Sequence, residues 1–490
     1  MEEHISNLVS ADYTWCQFCP AFALVILAAL LLLTDAFLPK LPKRSLAIVA
    51  ALGCLGTAGY LIADSGAPLT LLGVIACGAT ALSIMLAFDY KKITCDSVAG
   101  GDCEEGTGEF YTLPLVACAG ILCLLQARDL ILLFVSLEVV TLSSYVLAGY
   151  FRRNQGSVEA GIKYLILGAM STGLLVFGAA WYFGTTGSFL LSFDTVQRAI
   201  SGGTAASNAV VGGFLMANAL LFAGAFFKVG AVPMHLWIPD VYQGAPTPVS
   251  TFLAVASKTA GFAVLLTLIA PWMPFIIPGI TVARLFVTVF AVVAAATLLI
   301  GNLGALTQNN AKRLLGYSSI GQAGFILVFF ITPSAATPVM TAGYLLAYAL
   351  ATTAVFYAIA MVRTQRGSEE IAAFRGLGKT NPRTAFLIVV ALASLAGVPL
   401  TLGFIAKLNS FVVLVNSMSL WGNLLILLPI MILCAAAGFY YYFKIIRAMY
   451  WDAPRPEDSP LQVPPTTGIV LSLCAIGLIV LGTLPLLLNW

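Results

Sequence analysis

The chain has 490 residues, 9% of them charged and 60% hydrophobic, with a mean hydropathy of +0.98 and a net charge of +3. A soluble protein carries roughly a quarter charged residues, so a water-soluble fold is excluded. Apolar runs long enough to cross a bilayer, about 20 residues as helix, recur along the whole length. They are solidly apolar rather than alternating, which argues against a β-barrel.

In chain order the sequence predicts fourteen helical spans, near 20–38, 46–63, 69–88, 110–127, 128–149, 160–184, 208–229, 249–271, 281–306, 314–332, 338–362, 384–414, 421–447 and 466–488. The first follows an acidic stretch (Glu2, Glu3) and ends in Thr34-Asp35 without a small-residue cleavage site. It reads as a retained span, not a cleaved signal peptide. Within the second, Gly53, Gly56 and Gly59 suit helix packing better than nucleotide binding.

Loop charges set the expected orientation. The odd-numbered loops hold seventeen of the 24 Lys and Arg residues, whereas the even-numbered loops hold only Arg128, Arg198 and Arg284. Both termini are therefore expected on the outer side, and the basic residues mark topology. They do not point to nucleic acid. Six cysteines (Cys54, Cys77, Cys118, Cys123, Cys434, Cys474) fall inside spans, where cysteine acts as a small apolar residue. Cys16 and Cys19 form one pair without a second, so no metal site is expected there. Cys95 and Cys103 lie in an acidic loop, Asp89–Glu109, expected in the reducing cytoplasm. No iron–sulfur spacing, haem motif or P-loop occurs, so no redox centre is expected in this chain.

The remaining basic residues, Lys163, Lys228, Lys258 and Lys407, lie within spans, as does Glu138. A charge at a helix centre costs about 2.5–3.5 kcal/mol on insertion scales, so such residues pair, reach water or face the interior. Glu138 is expected either to be a protonated carboxyl bonded to a neighbouring helix or, the reading preferred here, to be a titratable partner for a buried cation. Lys228 stands just before Gly230-Ala231-Val232-Pro233, where proline must interrupt the helix. Such a break is tolerated only inside protein or beside a wet cavity. Lys258 is too central to snorkel and reads as a proton relay. Lys407 follows a second break, Ala396-Gly397-Val398-Pro399, and reads as the far member of the same path, or else as a lysine that snorkels. Lys163 has Glu159 one turn earlier, so an ordinary ion pair and a relay role stand equal. His235, just after the first break, is a possible relay that titrates near neutral pH, or else simply a hydrogen-bonded ring.

The two breaks fall in the seventh and twelfth spans. An odd offset of five inverts one unit relative to the other, and paired broken spans in inverted repeats point to a transport site near the midplane. The domain plan is then 1–109, three helices and a cytoplasmic acidic loop; 110–271, a first repeat of helices 4–8; 272–450, a second, inverted repeat of helices 9–13; and 451–490, a loop and a final helix.

Several stretches between about residues 110 and 450 resemble the antiporter-like membrane subunits of respiratory complex I. They are Ser136-Leu137-Glu138 with Ser143-Ser144-Tyr145, Lys163-Tyr164-Leu165, the long run from Pro233 to Ser250, Ser257–Phe262, and Lys312–Ile320. The run Val241–Pro246 and the lysine at 258 favour one type within that family over the other two. The resemblance implies an all-α, polytopic protein of about 14 transmembrane helices with two inverted five-helix repeats, each containing a broken helix. It implies Glu138 and Lys228 as a coupled pair, Lys258 as central relay and Lys407 as the second-repeat lysine. Some relatives carry His where this chain has Gln322, so a relay through that position is not expected here.

The expected function is proton translocation, without redox chemistry of its own, in a bacterial NADH:quinone oxidoreductase of the inner membrane. NADH, FMN, iron–sulfur clusters and quinone would be held by other subunits. The expected partners are other membrane subunits, especially neighbouring antiporter-like ones, and the lipid bilayer. The alternatives are a subunit of a multi-chain cation/proton antiporter or membrane-bound hydrogenase, and a stand-alone solute transporter.

Overall fold

A computed structural model describes residues 15–38, 41–63, 68–96, 108–201, 208–454 and 460–487. The described residues form helices joined by short loops. In chain order these are α1 (Trp15–Phe37), α2 (Lys43–Ala63), α3 (Pro68–Asp96), α4 (Gly108–Leu125), α5 (Leu130–Ala148), α6 (Gln155–Thr186) and the short amphipathic α7 (Phe193–Ser201). Next come α8 (Asn208–Val229), α9 (Trp237–Gly244), α10 (Thr247–Phe252), α11 (Lys258–Ile269), α12 (Thr281–Leu306) and α13 (Ala311–Leu327). The last are α14 (Thr337–Arg366), the one-turn α15 (Leu377–Thr380), α16 (Pro382–Ala396), α17 (Leu402–Met418), α18 (Leu427–Tyr450) and α19 (Pro465–Leu487).

Thirteen segments are long and apolar enough to cross a membrane; the twelfth predicted span is instead two shorter apolar helices, α16 and α17. Their ends are set by local chemistry. Asp129 caps α5 by accepting from the amides of Ile131 and Leu132, both at 2.9 Å. Asn154 and Asn310 cap α6 and α13 in the same manner. Gly187, Gly367 and Gly397 end α6, α14 and α16 in the left-handed conformation that a side chain disfavours.

Both expected breaks are present. Between α8 and α9 the chain turns through Gly230 (φ 78) and a cis Val232–Pro233 bond; between α16 and α17 it turns through Gly397 (φ 90). A third irregularity was not foreseen: a π-helical turn, Leu253–Ser257, joins α10 to α11 immediately before Lys258.

Loop-to-loop contacts test the span count. Tyr150, after span five, bonds Glu109, before span four. Asn310, after span nine, bridges Glu370, after span eleven; Asn381 bonds Leu461 across the next pair. On the other side Asp129, after span four, bridges Leu190, after span six. Thr332, after span ten, bonds Ser417, after span twelve. These contacts join odd loops to odd and even to even. An omitted or invented span between any of these pairs would have broken the parity.

Two expectations need correction. Asp89–Asp96, read as loop, continues α3 as helix, while 97–107, with Cys103, lie outside the described residues. Lys40 and Arg455 also lie outside them. Lys312, a loop residue by hydropathy, lies in the first turns of α13 and is wholly buried. The helix starts earlier than hydropathy suggests because Asn310 caps it, and Lys312 is then carried under the neighbouring loops.

Close crossings depend on glycine. A Cβ on Gly301 of α12 would lie 2.8 Å from the Cα of Gly321 on α13, and one on Gly261 of α11 would lie 2.9 Å from the Lys228 backbone of α8. Backbone cannot yield as a flexible side-chain end can. Gly301→Ala should therefore cost about 1–3 kcal/mol by overpacking, visible as a lower melting midpoint of the purified assembly. An unchanged midpoint would show that the crossing is looser than described.

Candidate functional site

Lys228 occupies the last turn of α8, next to the break, and is buried. Its Nζ donates to Thr141 Oγ1 at 3.0 Å and lies 5.5 and 6.0 Å from the rings of Phe227 and Tyr145. Thr141 stands one turn beyond Glu138 on α5. The Glu138 carboxylate itself accepts from Thr172 Oγ1 of α6 at 2.8 Å. Glu138 and Lys228 thus share one polar turn of α5, with a threonine between them and no direct ion pair.

Lys258 begins α11, directly after the π turn, and is buried. Nζ donates to the Ser319 carbonyl at 2.6 Å and its hydroxyl at 2.5 Å, with the Tyr348 ring 5.3 Å away. Lys407 projects from α17 back over the end of α16, donating to the carbonyls of Leu395 and Ala396, each at 2.8 Å. Those carbonyls have no helical partner because the helix stops there. The ammonium supplies both hydrogen bonds and the positive charge that a helix C-terminus favours. In the sequence Lys228 precedes its proline and Lys407 follows its own. In space both lysines attend the C-terminal end of the first half of a broken helix.

A polar face of α13 runs between Lys258 and Lys407. Ser319 holds Lys258, and its neighbour Ser318 bonds the Tyr442 hydroxyl. Gln322 Nε2 reaches Tyr442 at 3.3 Å and the Leu395 carbonyl, already shared with Lys407, at 3.0 Å; its Oε1 accepts from Tyr344 at 2.5 Å. Gln322 therefore sits squarely between the two lysines. An amide does not titrate near neutral pH, so its part there is to hold positions.

Lys163 and His235 lie apart from this chain. Lys163 is partly exposed and pairs with Glu159 and with Asp240 of α9, both at 2.7 Å. Asp240 also takes Arg313 Nη1 of α13 at 2.7 Å. His235 is 9% exposed, and its Nδ1 has no hydrogen-bonding partner among the described residues. Together these residues line an open groove between α6, α9 and α13.

Sequence reasoning missed the nearby triad of Lys312, Glu369 and Arg363. Lys312 Nζ lies 3.1 Å from Glu369 and donates to the Ala245 carbonyl at 2.7 Å, while Arg363 pairs with the same carboxylate. The signal was present in the adjacent basic pair Lys312-Arg313, but hydropathy alone assigned both to a loop.

The fold and these buried amines define a class: polytopic membrane proteins with paired broken helices and intramembrane lysines. A family described as NADH:quinone oxidoreductase/Mrp antiporter, transmembrane, matches residues 127–432. A curated relative, NADH-quinone oxidoreductase subunit N 1 of Opitutus terrae, is 35% identical over 96% of this chain and 95% of its own length. A chain of respiratory complex I from Thermus thermophilus, solved with bound aureothin, is 29% identical with a TM-score of 0.75, covering 96% of this chain and 98% of that one. A chain of an archaeal respiratory complex, the membrane-bound sulfane sulfur reductase, shares the fold at 23% identity with a TM-score of 0.79, covering 97% and 96%. This chain belongs to the NADH:quinone oxidoreductase/Mrp antiporter membrane-subunit family. Its similarity runs to subunit N, the type that Val241–Pro246 and Lys258 favoured.

The two ion clusters should respond unequally to loss of their carboxylates. Glu369→Gln strands a fully buried lysine, which costs about 3–5 kcal/mol when a buried pair is broken. Asp240→Asn removes a carboxylate from cations that are 40% and 32% exposed at their side chains, worth about 1 kcal/mol or less. Melting of the purified variants checks this; equal losses would contradict the burial contrast.

Proposed function

We propose that this chain translocates protons within a bacterial NADH:quinone oxidoreductase, itself carrying no electrons, through Glu138, Lys228, Lys258 and Lys407. One observation carries the reading. The three lysines are buried and, among the described residues, donate hydrogen bonds only to neutral oxygens, while Lys163 and Lys312 are tied to carboxylates. An ammonium held by hydroxyls and carbonyls can release its proton without leaving a carboxylate stranded. One locked in an ion pair cannot. Three releasable amines, two of them at helix breaks, suit a relay.

In this reading, approach of Glu138 to Lys228 stabilises the protonated amine, and withdrawal releases the proton toward Lys258. The α13 face then leads to Lys407. Thr141 already stands between carboxylate and amine, so a small shift of α5 against α8 suffices to change the pairing. Residues 110–271 and 272–450 form the two inverted units, each contributing one broken helix. The paired end-of-helix lysines support that division. The charge bias of the odd loops, with their parity contacts, supports an inner-membrane placement with both termini outside. Redox cofactors and quinone belong to partner subunits, the neighbouring antiporter-like subunits being direct contacts.

Lys228→Ala and Glu138→Gln in the intact complex, incorporated in vesicles, test this. Proton uptake per NADH oxidised should fall to a small fraction with Lys228→Ala and more mildly with Glu138→Gln. Undiminished pumping at normal electron flow would sink the relay.

A second reading is favoured by the fold match to the sulfane sulfur reductase: this chain could serve a multi-chain complex with a different electron acceptor. Purification of the native complex separates the two. NADH-reducible flavin and iron–sulfur signals accompany only the first.

A further inference from the structure

We propose that Cys77 of α3 and Cys118 of α4 are a modification site, joined as a disulfide by a membrane-soluble hydroperoxide. The two thiols touch: Cys118 Sγ lies 3.6 Å from Cys77 Sγ, and both side chains are fully buried. Cys54 of α2, equally buried, is a further side-chain neighbour of Cys118. Three helices thus each bring one thiol to a single place near their middles. Inside a span cysteine acts as a small apolar residue, and packing accounts for one of them at a crossing. It does not require that three meet. Where only small size is needed the chain uses alanine, as at the buried neighbours Ala76, Ala117 and Ala119.

The cluster does not suit a metal ion, since no group of three His, Cys, Asp or Glu among the described residues could hold one. Two touching thiols can instead couple. The S–S bond is about 2.05 Å long, so the sulfurs must approach by about 1.5 Å, shared between two side chains. The place of the site identifies the oxidant. Thiol-exchange proteins and water-soluble disulfides do not enter the bilayer core, whereas hydroperoxides of unsaturated acyl chains form within it. Helix α2 turns Leu52 and Leu55 outward on either side of Cys54, at 60% and 48% exposure. Gly78, next to Cys77, has open space where a side chain would stand, and so do Gly56 and Gly59 of α2. A small oxidant has an approach that a protein lacks. One thiol sulfur attacks the O–O bond, the hydroperoxide leaves as an alcohol with the thiol proton, and the sulfur becomes a sulfenic acid. The second thiol attacks that sulfur, the S–S bond forms and water leaves. Two thiols and one hydroperoxide give one disulfide, one alcohol and one water. The bond ties α3 to α4, which runs so close to α5 that a Cβ on Gly120 would lie 3.0 Å from the Ser136 carbonyl. The inference does not depend on the proton relay, and either can fail alone.

The test uses membranes holding the intact complex, treated with cumene hydroperoxide, then denatured with an alkylating reagent and mapped by mass spectrometry. Cys77 and Cys118 should be lost to alkylation together and appear as one linked peptide pair, which dithiothreitol separates after denaturation. Cys118→Ser should abolish the linked pair, and Cys474→Ser should leave it unchanged. The wild-type measurement stands without either variant, so a variant that fails to assemble leaves the test intact. Sulfinic or sulfonic acid on either residue without the linked pair would show thiols that oxidise singly. Unreacted Cys77 and Cys118 beside oxidised Cys16 and Cys19 would show that burial keeps them inert. Equal linkage by glutathione disulfide would place the oxidant in water. Any of the three overturns the proposal.

Discussion

The bilayer core offers no water, so every interrupted helix and every ammonium within it must be satisfied by protein. The rest of this structure follows from that constraint. Breaking a helix exposes carbonyls, and placing a lysine in the membrane strands donors. Each defect alone costs several kcal/mol, but together they cancel in part. At the second break Lys407 donates to the last two carbonyls of α16, and Gly397 lets it come close: a Cβ there would lie 3.0 Å from Lys407 Cδ. The break requires the lysine as much as the lysine requires the break. A residue proposed for the relay thus also has a structural duty, and that duty fixes where its charge must sit.

The same constraint separates five lysines into two kinds. Lys312 and Lys163 meet carboxylates, and both lie toward the odd-loop ends of their helices. Their charge is fixed, and they hold neighbouring elements together. Among the described residues, the hydrogen bonds of Lys228, Lys258 and Lys407 go to hydroxyls and carbonyls. Neutral acceptors satisfy the geometry of an ammonium without pinning its charge. A membrane protein built only for stability would pair all five alike. The unequal treatment is what favours a working role for the second set.

Much of this was legible in the sequence, because hydropathy and loop charge report the bilayer directly. The span count, both helix breaks and the buried lysines follow from residue type and spacing. What stayed hidden depends on neighbours distant in the chain. Nothing near Lys312 foretells Glu369, 57 positions on, or that capping by Asn310 draws the lysine under cover. For Lys163 the sequence holds pair and relay equal; in the structure its partners are Glu159 and also Asp240, 77 positions away. The π turn before Lys258 has no sequence mark, since Leu253–Ser257 reads as ordinary helix. The Glu138 environment was also open, and the structure gives it Thr172 as a partner on the neighbouring helix.

These pieces converge on α13. At one end Arg313 holds Asp240 of α9, and Lys312 holds the Ala245 carbonyl that ends the same half-helix. In its middle Ser319 holds Lys258; further on Gln322 reaches the carbonyl that Lys407 caps. Gly301 of α12 and Gly321 of α13 let the two helices pack backbone to backbone, so α13 is poorly placed to bend and adapt on its own. A shift of α9 relative to α13 must either break the Asp240 and Ala245 contacts or carry Ser319 with it. If it carries Ser319, the acceptors around Lys258 move. Coupling between sites needs an element with more than one arrangement that both sites bias. In the relay proposed above, the broken half-helix α9 would supply the arrangement, and α13 is the element in contact with the acceptors of both buried lysines.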